Sequence, residues 1–209
     1  MASHIDEMEA ALCDVRKAYR LIHLYQRRVL DLCREITEAF ESELNFYYWA
    51  ASQFEMPPRR RTDPVSEWAW DFLPLYDFAL VYRPEDVDYK SPKVNDRMLE
   101  VRITVDSGYV TAGELEPDPR DFRDVAGCES CVRLYVYYSS KVLKGGWLDD
   151  LLSSSIFPAD DREGELANGV CTLGMKFALA EMSDAEAVQN CVNKFRQRLQ
   201  EVFPARSIW

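Results

Sequence analysis

Glycine is scarce in this chain, eight residues in 209, and the first 56 residues contain neither glycine nor proline. Few glycines leave little room for loops whose bare backbone cradles phosphate. No phosphate-binding loop, dinucleotide fingerprint, Gly-x-Ser-x-Gly elbow or His-Glu-x-x-His helix occurs, so no cofactor is expected. Histidine is rarer still, with only His4 and His23 available to a metal site. No run of 18 apolar residues exists, which predicts no membrane-spanning helix and no membrane partner. The opening Met-Ala-Ser-His-Ile-Asp has neither a basic n-region nor an apolar h-region, which predicts no secretory signal. Six scattered cysteines suit reduced thiols and a cytoplasmic location better than a disulfide framework.

The missing helix breakers coincide with a positive signal. Ser3 with Asp6 has the form of an N-cap. An apolar seam at 3-4 spacing then runs through Ile5, Met8, Leu12, Val15, Tyr19, Ile22, Gln26, Val29, Cys33, Ile36, Phe40, Glu43, Tyr47 and Ala50. Only Gln26 and Glu43 interrupt it, and polar positions of this kind can fix register. The pattern predicts a coiled-coil-like helix over residues 1–56. At 1.5 Å per residue, about 50 residues extend roughly 75 Å, more than the width of a compact domain of this size. Part of the helix must then overhang or meet a partner, and the expected interface is Leu12, Val15, Tyr19, Ile22, Gln26, Val29, Ile36 and Phe40. Leu21, Leu24, Leu30, Leu32, Leu44 and Phe46 lie off the seam and imply a second packing side.

Residues 57–209 read as an α+β body forming one unit with the helix. Pro57 to Pro64 is a connector, and residues 66–74 are an aromatic stretch. Strands are expected at Leu75–Tyr82, Met98–Val105, Val132–Tyr138 and Val170–Ala180, with a short one at Tyr109–Ala112. Ser183 with Glu186 forms a capping box for a closing helix whose stripe is Val188, Cys191, Val192, Phe195, Leu199 and Val202, stopped by Pro204. The expected fold is a long N-terminal α-helix, an antiparallel sheet of four to five strands and a C-terminal α-helix packed on that sheet.

The net charge of −11 speaks against general nucleic-acid affinity. Charge is unevenly placed, however. Residues 16–34 carry six bases against Asp31, whereas residues 63–130 carry sixteen acids against seven bases. Arg20, Arg27 and Arg34 recur every seven residues and form a stripe that could meet an anion or an acidic partner, together with Arg59, Arg60 and Arg61.

Catalytic candidates are sparse. Asp77 with Glu100 and Arg102 resembles the acid and Glu-x-Lys arrangement of metal-dependent nucleases, but with arginine in place of the lysine. Alternation alone would put Glu100 and Arg102 on one strand face. Cys128 and Cys131 form a single Cys-x-x-Cys without a second pair to complete a zinc site. The Arg16 to His23 interval is similar to the Arg-x(4–6)-His motif of HEPN ribonucleases, an all-helical family, whereas half of this chain reads as strands. Trp68, Trp70, Phe72, Tyr76 and Phe78, with Tyr135, Tyr137 and Tyr138, could build a recognition surface. The composition and the seam together favour a non-enzymatic protein that self-associates or docks another protein through its long helix, with the sheet as recognition surface.

Overall fold

The structure, a computed structural model, describes residues 4–40, 43–51, 69–73, 75–88, 91–109, 117–141, 163–166 and 169–204. The first helix, α1, spans His4–Phe40, with Asp6 and Glu7 in its first turn where the helix dipole favours negative charge. Its 37 residues extend about 56 Å.

The helix ends at Phe40 rather than continuing to Met56. Strand β1 occupies Leu44–Ala51 instead. Its sequence, Leu-Asn-Phe-Tyr-Tyr-Trp-Ala-Ala, is dense in aromatic residues that fit a pleated surface, and that preference prevails over the accidental continuation of the seam through Tyr47 and Ala50. The boundary expected at residue 56 is corrected accordingly. The Ser3 cap, the connector 57–64, residues 66–68, the strand expected at 110–112 and Arg59 to Arg61 lie outside the described residues.

Strands β2 (Asp77–Pro84), β3 (Arg97–Thr104), β4 (Cys131–Ser139), β5 (Glu163–Leu166) and β6 (Val170–Ala178) follow. They form with β1 a six-stranded sheet in the order β1-β2-β3-β4-β6-β5, every pairing antiparallel. The second helix, α2, spans Ala185–Val202. Its cap is Asp184, whose carboxylate accepts from the Ala187 amide at 3.0 Å, one residue beyond the expected Ser183. Ser183 donates instead to Asp184.

Period-two alternation puts Phe78, Leu80, Leu99, Val101, Ile103, Val132, Leu134, Val136, Leu173 and Phe177 on one face of the sheet. Val29, Leu32, Cys33, Ile36 and Phe40 of α1 and Val188, Val192, Phe195 and Leu199 of α2 pack into the same core. Phe40 meets Phe195 edge-on at 5.8 Å between ring centroids, an arrangement that aromatic quadrupoles favour. Arg28 reaches from α1 to the Met182 and Ser183 carbonyls and pairs with Glu35, tying the helix to the approach of α2.

The opposite face of the sheet is also buried, with Val81, Met98, Tyr135, Tyr137 and Val170 in a second cluster. There Tyr135 stands opposite Gly174, and a Cβ added at residue 174 would lie 2.4 Å from the Tyr135 ring. Glycine is required here because the ring occupies the space of its missing side chain. Replacing a strand glycine by alanine usually gains up to about 1 kcal/mol by restricting the unfolded chain. Overpacking against a buried ring costs about 1–3 kcal/mol and should prevail. Gly174→Ala is expected to lower the urea midpoint with an unchanged slope, measured by tryptophan fluorescence.

Candidate functional site

The residues of α1 divide at Tyr25. Beyond it the seam is core. Before it, Ile5, Met8, Leu12, Val15, Tyr19 and Ile22 all face solvent, with Ile5 71% and Tyr19 67% exposed. The off-seam residues Leu21 and Leu24 are exposed as well. Residues 4–24 therefore project as an arm about 30 Å long. Contiguous apolar surface of this kind marks a binding site on a folded chain. Packing of an amphipathic face supplies most of a helix's stability, and among the described residues the seam from Ile5 to Tyr19 is not part of the chain's own core.

Of the interface residues expected from the seam, Leu12, Val15, Tyr19 and Ile22 lie on this open arm. Gln26 is half-buried at its root. Val29, Ile36 and Phe40 are 2% exposed or less and belong to the chain's own core. They are corrected to structural residues. Their seam positions are unchanged, but the sheet beneath them covers that side of the helix. Leu32 is likewise core, while Leu30 is exposed. Arg20 and Arg27 are exposed on the helix, and Arg34 pairs with Asp31 at 2.9 Å across one turn. Arg16 and His23 sit on the arm's exposed surface.

A hollow of about 80 Å³ lies at the arm's root. Ile22, Tyr25 and Gln26 form its helix side, and Leu73, Leu75, Tyr76 and Val105 its body side. The Tyr25 hydroxyl is buried with no hydrogen-bond partner, and burial pushes it up to about 12.

The nuclease-like residues do not converge. Asp77 pairs in register with Thr104, and Glu100 with Val81. Both acids are on the face opposite the helices, four residues apart along the ladder, or about 13 Å. A magnesium ion holds its oxygens at about 2.1 Å, so one ion cannot bridge them. Asp77 accepts from the Thr104 hydroxyl at 3.2 Å. Glu100 accepts from the Tyr137 hydroxyl at 2.7 Å and lies 3.4 Å from the Arg102 guanidinium. The roles this geometry supports are hydrogen bonding and ion pairing within a buried face.

Register also reveals a row that single-strand inspection misses. Arg102, Arg133 and Lys176 stand side by side on β3, β4 and β6. Directly opposed like charges are unfavourable, and nearby groups offset them: Glu100 lies beside Arg102, the Arg133 guanidinium donates to Cys131 and Thr104, and Lys176 pairs with Glu129 at 2.9 Å. The signal in the sequence was a base at the polar phase of each strand. Only the pairing order makes them neighbours.

Cys131 is buried at the start of β4, and the Cys128 thiol donates to the Asp124 carbonyl at 3.2 Å. Burial raises both thiols, which keeps them protonated and disfavours thiolate ligation or attack. Among the described residues, no three histidine, cysteine or acidic side chains gather in a metal-binding group. No helix among them is long and apolar enough to cross a membrane. The aromatic residues fall into separate groups, with Trp70 against Tyr76 at 5.2 Å between ring centroids and Tyr135 beside Tyr137 at 6.3 Å. Trp70 stacks on Phe122 at 5.5 Å and donates to the Pro117 carbonyl, Phe78 and Tyr138 are core, and Tyr135 and Tyr137 lie buried on the far face. Phe72 is exposed. Among the described residues, β2, β3 and β4 are largely buried on both faces, so the central sheet presents no open recognition surface.

Burial holds the Glu100 carboxyl above its ordinary 4.5, against the lowering effects of Arg102 and Tyr137. A group raised in the folded state contributes stability that is present below its unfolded value and lost as pH rises through its folded value. Glu100→Gln keeps the acceptor and removes the ionisation. The variant is expected to gain stability relative to the parent as pH rises from 4 to 8, read from paired thermal melts.

The PM0109 family model matches residues 5–203, a span that takes in the arm as well as the body. The uncharacterized protein PM0109 of Pasteurella multocida (strain Pm70) is 25% identical, with 92% of this chain and 94% of that protein covered. No solved structure matches the chain.

Proposed function

The chain belongs to the PM0109 family, and from that premise we propose that it acts by binding, its projecting arm pairing with a second copy of the same chain. The observation that carries this reading is the open seam from Ile5 to Ile22, six exposed apolar side chains at heptad spacing on one helix. Two such seams laid together would bury each other's knobs and supply the packing each arm lacks alone. The role is one of assembly, not catalysis.

Nucleic acid is the weaker occupant. The arm's outer half carries Asp6, Glu7, Glu9 and Asp14 with no lysine or arginine, and the whole chain is strongly acidic. Phosphate would be repelled from half the surface it had to follow.

Light scattering after size-exclusion chromatography, over a range of concentrations, tests the reading. A dimer of the 24.3 kDa chain is expected. Val15→Glu and Ile22→Glu each bury a charge in the paired seam and should weaken association by about 100-fold, near 2.7 kcal/mol. The circular-dichroism melt of Val15→Glu should hardly change, since Val15 is 48% exposed, whereas Ile22 also lines the root hollow against the body. A mass that stays at 24.3 kDa throughout would overturn the reading.

A further inference from the structure

We infer that the two arms pair antiparallel and that the hollow at each arm's root receives Ile5 of the second copy. This rests on the self-association proposed above. Three features of the arm select the direction.

The first is charge. Residues 4–14 hold Asp6, Glu7, Glu9 and Asp14 without a lysine or arginine, and residues 16–28 hold Arg16, Lys17, Arg20, Arg27 and Arg28 without an acid. Antiparallel pairing lays each acidic segment beside a basic one. Parallel pairing would stack acid on acid and base on base, which opposes association.

The second is the symmetry of the seam. Reversed so that Val15 lies beside its own counterpart, the seam residues come level to within about half a residue of rise: Ile5 with Gln26, Met8 with Ile22, Leu12 with Tyr19 and Val15 with Val15 of the second copy. Every layer except the outermost is apolar on both sides. On one flank Glu9 comes within about two residues of rise of His23 of the second copy, close enough for their side chains to meet. On the other, Ala11 and Ala18 lie within about two residues of rise of each other, and their small side chains let the two backbones approach closely.

The third is the hollow. The same register brings Ile5 to the level of Gln26, where Tyr25, Leu73, Leu75, Tyr76 and Val105 leave a space of about 80 Å³. That is room for an aliphatic side chain in an apolar lining. The seam side of α1 meets its own body at this level, so an arm of equal length fits between the tip and the body. A parallel pair would leave both hollows empty.

Cross-linking distinguishes the orientations. Ile5→Cys and Leu73→Cys chains are prepared separately in a Cys13→Ser background, mixed, and treated with a short bismaleimide. Val15→Cys sits at the centre in either orientation and serves as the positive control. The expected result is a covalent dimer bridged from position 5 to position 73 in the Ile5→Cys and Leu73→Cys mixture, and no bridge from position 5 to position 5 in Ile5→Cys alone, each bridge located by mass spectrometry so that any through the native Cys128, Cys171 or Cys191 is set aside. Self-cross-linking of Ile5→Cys would show parallel arms and overturn the inference while leaving self-association standing. A dimeric mass with the Val15→Cys bridge but no bridge from position 5 to position 73 would overturn the seating in the hollow. A monomeric mass with no bridge at any position would overturn both this inference and the self-association beneath it.

Discussion

Six strands spaced about 4.8 Å apart make a sheet roughly 25 Å across, and eight-residue strands are about as long. The 37 residues of α1 extend about 56 Å. A helix packed on such a sheet can cover it only with half its length, and the remaining half extends past the sheet. This mismatch organises the molecule. One continuous seam of a single helix serves as core from Val29 to Phe40 and as open surface from Ile5 to Ile22.

The transition is sharply marked. Gln26 sits at the border, half in and half out, and Arg28 two residues later is clasped to Glu35 and to the carbonyls before α2. The clasp fixes how the helix leaves the body, and so the direction in which the arm points. The root hollow lies at the same level. Helix exit, polar break and apolar hollow thus coincide at one turn of α1.

The far face of the sheet shows how residues that look catalytic can be structural. A glutamate and an arginine two residues apart on a strand share a face whatever their purpose. Here Glu100 is buried with Tyr137 and Arg102 around it, and Asp77 bonds Thr104 some four residues away along the ladder. Leaving either acid without such partners inside the protein would cost more than the bonds contribute. The polar groups on this face are tied to one another because they are buried.

Much of the body was legible in the sequence. Clean alternation from Met98 to Val105 reads as β3 within one residue, because strand period and apolar phase agree there. The stripe from Val188 to Leu199 reads as α2, its cap displaced by one residue because the Asp184 carboxylate accepts from the Ala187 amide while the Ser183 hydroxyl donates to Asp184. Strand β1 was not legible. Tyr47 and Ala50 fall on the helical seam by chance, and no glycine or proline marks the end of α1. Nor was β5, four residues whose place is set by pairing with β6.

The sequence by itself determined that the helix would have one apolar seam and be too long for its body, because heptad spacing and length are local properties of consecutive residues. It also determined which strand residues share a face. Only the tertiary structure decided where the seam changes from core to surface, since that depends on the breadth of the sheet, a product of non-local pairings. The same pairings placed Arg102, Arg133 and Lys176 in one row, set Asp77 and Glu100 apart, and closed the root hollow between Tyr25 and Leu73. Each is a relation between residues distant along the chain, and no periodicity of a single segment encodes it.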